Sequence, residues 1–80
     1  MSTLTVPWPH DGAQQLQVEI DQDLPAYGPL EQRIRSAASV AKSHAGLRWM
    51  LEATVGESWT VVVGKTVAGV TTVELRKRLA

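Results

Sequence analysis

His10 and Asp11 stand side by side, and a carboxylate next to an imidazole is the raw material of acid–base chemistry. Adjacent side chains in a strand or turn point apart, and no serine nucleophile is identifiable nearby, so His10-Asp11 reads as a polar turn before Gly12. His44 falls beside the apolar face of a helical pattern and reads as a semi-buried or surface histidine, not a base. Glu19, Asp21 and Asp23 begin like a calcium loop, but Leu24, Pro25 and Tyr27 stand where further oxygens and a glycine are required. Gly64-Lys65-Thr66 has the ending of a phosphate-binding loop. The earlier glycine of that motif is replaced by Trp59, and a strand pattern follows where a helix is needed. The chain has no cysteine, which excludes disulfides, thiolate metal sites and cysteine nucleophiles, and its 2 histidines lie far apart in sequence, which argues against a structural zinc site. No catalytic residue, metal site or cofactor is expected.

Charge carries the next candidate. Arg33, Arg35 and Lys42 lie in the helical segment, and Arg76, Lys77 and Arg78 near the C-terminus. If the tail returned beside the helix, these side chains would form one phosphate-binding patch, the alternative function for this chain. The 8 basic and 8 acidic residues cancel, so the long-range field that steers proteins to nucleic acid is missing. Nucleic acid is therefore an unlikely partner by charge. No apolar run approaches the roughly 20 residues that span a bilayer, and no secretion-type leader is seen at Met1-Ser2-Thr3-Leu4. A cytoplasmic location is the expectation.

Eighty residues make one domain with a thin core, stable by on the order of 5 kcal/mol. Leu4, Val6 and Trp8 alternate with polar residues and proline, the period of a half-buried strand. Pro7 and Pro9 cannot donate to a sheet ladder, which assigns that strand to an edge. Asp11-Gly12 is a tight-turn signal, and Leu16, Val18 and Ile20 alternate behind it, so residues 1–20 form a first hairpin. A loop covers 21–28. Pro29 is placed to open a helix, and Leu30, Ile34, Ala37, Val40, Ala41, Ala45, Leu47 and Leu51 share one broad apolar face, giving one helix over 29–54, with Gly46 the point where it would kink or divide and Gly56 the stop. Residues 58–76 form a second hairpin and 77–80 a basic tail. The valine-rich strand from Trp59 is expected at the sheet centre. The sum is an α+β domain: a ββαββ two-layer sandwich with an antiparallel-rich sheet and one helix on one face.

Such a sandwich leaves a sheet face uncovered. Val62, Val70 and Thr72 are expected there. Trp59 is expected in the core, while Trp8, on its proline-flanked edge strand, is expected to be partly exposed. Tryptophan is enriched at binding hot spots, so Trp8, Val62, Val70 and Thr72 are the candidate partner-binding residues.

The segments Val6-Pro7-Trp8-Pro9-His10-Asp11-Gly12, Val18-Glu19-Ile20-Asp21, Arg33-Ile34-Arg35-Ser36-Ala37-Ala38 and Val61-Val62-Val63-Gly64 resemble the bacterial trypsin-co-occurring domain, a partner module of conflict systems. The resemblance implies a non-catalytic module and carries no catalytic residue. In size, neutrality and lack of cysteine the chain is also similar to phage-encoded inhibitors of host proteins. The function expected is a non-enzymatic protein-interaction module of bacterial or phage origin, an adaptor or inhibitor. It would dock a sheet edge or face on another protein, with a homodimer as a further route to stability.

Overall fold

The computed structural model describes residues 2–20 and 28–78. The loop read over 21–28, with Asp21 and Asp23, lies outside them except for Gly28, as does the end of the basic tail. The elements run β1 (Ser2–Pro7), β2 (Gln15–Ile20), α1 (Gly28–Val40), α2 (His44–Val55), β3 (Trp59–Val67) and β4 (Val70–Lys77). They form one sheet in the order β1-β2-β4-β3, with both helices on one side.

Both hairpins are closed by turns that need positive φ. Asp11 and Gly12 take φ 54° and 85°, and the Ala13 N–H donates to the His10 carbonyl at 2.9 Å. Ala68 and Gly69 take φ 53° and 79° between the paired Val67 and Val70. Two successive left-handed residues define the type I′ turn, whose twist matches that of the flanking strands. β1/β2 and β3/β4 are accordingly antiparallel, as their alternation predicts.

The centre of the sheet departs from expectation. β2 and β4 pair in parallel, so the sheet is mixed. Parallel neighbours need a connection that returns the chain to its starting end, and α1, α2 and β3 supply it together, since β3 runs antiparallel to β2. β3 is an edge strand, not a central one: the two helices deliver the chain to the far edge and the tight turn folds β4 back inward. Leu16, Val18 and Ile20 of β2 and Thr71, Val73 and Leu75 of β4 are all fully buried, as befits the two inner strands.

The helical segment is two helices, a correction to the single one expected. The division falls at residues 41–43, upstream of Gly46. Ser43 has extended backbone angles, and its hydroxyl accepts from the Gly46 N–H at 3.0 Å, the N-cap bond that starts α2. Gly46 is thus the third residue of α2, and a Cβ there would lie 3.1 Å from the capping oxygen. α2 ends where expected, at Gly56, with φ 78° and its N–H on the Glu52 carbonyl at 3.1 Å. Ile34, Ala37 and Ala38 of α1, Ala41 of the link, and Leu47 and Leu51 of α2 meet the inner sheet face. Among the described residues no helix is long and apolar enough to cross a membrane.

Candidate functional site

Trp8 is not exposed. It is 1% accessible, and its indole Nε1–H donates to the Ala41 carbonyl at 2.9 Å. Ala41 sits where α1 has just ended, so its carbonyl lacks a helical donor and Trp8 supplies one. The chain beyond β1 turns the indole inward under the helix junction, edge-on to the rings of His10 and His44 at centroid distances of 5.7 Å each. Trp8 is therefore a core residue and is withdrawn from the partner-binding set. The exposed tryptophan is Trp49 of α2, at 71%. Trp59 packs on the core, partly buried.

Val62, Val70 and Thr72 do lie together on the face away from the helices. Their neighbours Val61, Thr71 and Val73 are buried beneath α1 and α2, and alternation turns the three outward. Val62 is 46% exposed. Val67 joins them at 71% because of a bulge. Val63 faces Val73 and Thr66 faces Thr71, so Gly64 and Lys65 together oppose the single Thr72. The extra residue reverses the alternation: Thr66 turns to the helix side and Val67 to the outer side. Strict period-2 counting would have exchanged the two.

The basic residues do not converge. Arg35 of α1 pairs with Glu31 at 3.3 Å, one turn away, on the helical side. Arg76 pairs with Glu74 at 2.9 Å, and Arg78 Nε donates to the Thr60 hydroxyl at 3.1 Å. Glu74 and Thr60 belong to the outer face, so these two side chains lie on the other side of the sheet from Arg33, Arg35 and Lys42. Lys77 pairs with Trp59 at the end of β4, so through Arg78 the chain does not run beside α1, and these basic side chains do not form a single phosphate-binding patch. Between α1 and α2 runs an open groove of ≈ 520 Å³ lined by Arg33, Ser36, Val40 and Met50.

Asp11 finds a histidine, but it is His44, not His10. Asp11 Oδ2 lies 2.5 Å from His44 Nδ1 and also accepts the His44 backbone N–H at 2.9 Å. His44 Nε2 is 2.9 Å from Thr66 Oγ1, which is 2.6 Å from the buried Thr71 Oγ1. With the imidazole proton on Nδ1, each hydrogen is used once, head to tail: Thr71 to Thr66, Thr66 to Nε2, Nδ1 to Asp11. Carboxylate, imidazole and hydroxyl in that order can activate a hydroxyl. Here the hydroxyl is held on its far side by Thr71, and the row ties the first turn, the start of α2, the β3 bulge and β4 together. The ring hydrogen bond from His44, and then the one from its backbone, hold the Asp11 carboxyl below its ordinary pKa. Sequence spacing gave no sign of this row, because Asp11 and His44 are 33 positions apart and Thr66 reaches them only through the bulge.

No family model, curated protein or solved structure matches the chain.

Proposed function

We propose that this chain is a non-enzymatic protein-interaction module that docks the outer face of its sheet on an apolar surface of a partner protein. One observation carries this: Val62, Val67, Val70 and Thr72 form an outward patch of β-branched side chains that no described element of the chain covers. Contiguous exposed apolar surface on a small domain marks an interaction site. The charged groups beside the patch, Glu74 and Arg76, already satisfy each other. A partner is therefore selected by shape and apolar contact more than by charge, and binding should be nearly insensitive to salt, unlike phosphate binding. The resemblance to trypsin-co-occurring domains points the same way, to a non-catalytic partner module; with the small size, neutrality and lack of cysteine it supports an adaptor or inhibitor of bacterial or phage origin acting in the cytoplasm.

The test is capture of a partner with the tagged chain, identification of that partner, and measurement of binding with both proteins purified. Val67→Asp places a charge in the patch at a solvent-exposed position and should weaken binding at least tenfold while the domain stays folded. Trp49→Ala, on the helical layer, should leave binding unchanged. Loss with Trp49→Ala and retention with Val67→Asp would move the docking surface to the helices and overturn the assignment.

A further inference from the structure

Among the described residues, four large apolar side chains are exposed, and they divide between the two layers. Val62 and Val67 belong to the sheet, and Val40 and Trp49 to the helices. Helical spacing puts Val40 on the apolar face, yet it is 63% exposed at the end of α1, on the wall of the groove between the helices. Arg33, Ser36 and Val40 recur at steps of three and four residues, so they form one stripe along that wall. At a rise of about 1.5 Å per residue the stripe is about 10 Å long. Met50 and Thr54, one turn apart on α2, form the facing wall, and the buried Ala37 the floor.

The groove carries an uncompensated positive charge. Arg35 and Arg48 are each neutralised by a glutamate one turn away, Glu31 at 3.3 Å and Glu52 at 2.8 Å. Arg33 is not, because the residues one turn to either side of it are Pro29, Leu30, Ser36 and Ala37. Among the described residues Arg33 has no ion-pair or hydrogen-bond partner, and no carboxylate lines the groove.

We propose that this groove takes an acidic amphipathic helix of a partner protein, with a carboxylate of that helix on Arg33 and its apolar side chains against Val40 and Met50. Charge complementarity selects the acidic partner, since Arg33 is the charged group on the walls and nothing described neutralises it. The walls select a helix. They are the flanks of two helices whose backbone groups bond internally, so an extended peptide would find no main-chain partners there. A helix satisfies its own backbone and needs only side-chain contacts, made by one stripe at i, i+3, i+4 and i+7. The stripe from Arg33 to Val40 is two turns long, which sets the partner's carboxylate one or two turns from its apolar anchor. This groove is on the other layer from the outward patch, and the inference does not rest on the docking assigned to that patch. Two separate surfaces are what an adaptor needs.

The experiment is selection from a displayed library of random peptides, about 16 residues long so that a helix can form, on the purified full chain. Dissociation constants of the enriched peptides are then measured by fluorescence anisotropy. The enriched peptides should carry Asp or Glu one or two helical turns from a bulky apolar residue. Arg33→Glu, at an exposed position, should raise their Kd about tenfold. Replacing the peptide carboxylate with lysine should abolish binding to the wild type and restore it to Arg33→Glu. Val40→Asp should weaken binding as well. Val67→Asp should leave it unchanged, so failure here and failure of the outward patch are read separately. No enrichment, enrichment of peptides without an acidic residue, or binding indifferent to Arg33→Glu would overturn the proposal.

Discussion

Asp11 grips His44 at two points, with one carboxylate oxygen meeting both the backbone N–H and the ring Nδ1 of a residue 33 positions away. Asp11 sits in a type I′ turn and His44 opens α2, so this contact sets the first hairpin against the second helix. A carboxylate at a helix N-terminus is further favoured by the helix dipole.

The contact sets an acid limit. The folded-state pKa of Asp11 is below its ordinary value of 3.8. Its contribution to stability is therefore present above that value and is lost as pH falls through the lower, folded-state one. The thermal midpoint should drop on acidification below about pH 4. Asp11→Asn should lower the midpoint at neutral pH and show a smaller further drop between about pH 4 and pH 2. Equal acid slopes for the two proteins, followed by circular dichroism, would mean that Asp11 does not contribute.

Trp8 should behave as a keystone of the core. Trp8→Ala removes the largest fully buried side chain and orphans the Ala41 carbonyl, at a cost of about 3–5 kcal/mol. That is comparable with the whole stability of a domain this size, and urea denaturation should find the variant largely unfolded. Trp8→Phe keeps most of the apolar volume but loses the hydrogen bond and should remain folded, weaker by about 1–3 kcal/mol.

Ala68 holds φ 53°, where a Cβ is costly, in the turn that closes β3 on β4. Ala68→Asn should stabilise the domain by about 0.5–1 kcal/mol, since asparagine tolerates this region. Gly69→Ala, at φ 79°, should destabilise it by about 1 kcal/mol. Chemical denaturation of the two variants gives both signs in one experiment.

Local chemistry was legible in the sequence. Alternation at Leu16-Val18-Ile20 and at Thr71-Val73-Leu75 determined which side chains face the helices, because a strand has only two faces. Asp11-Gly12 and Gly56 announced a turn and a helix stop, because only certain residues accept positive φ. Pro7 marked an edge strand and proved to occupy an outward-facing ladder position. What the sequence could not decide were relations between distant segments. The link at 41–43 divides the helix where Ser43 caps α2 and Trp8 takes up the freed carbonyl of Ala41. β4 lies inside β3 because the helical connection sets where the chain re-enters the sheet. One extra residue at Gly64-Lys65 reversed the alternation, sending Val67 outward and bringing Thr66 to His44. Periodicity reports which face a residue shares with its near neighbours, whereas connection geometry, bulges and hydrogen bonds between remote residues depend on packing that exists only once the chain has folded.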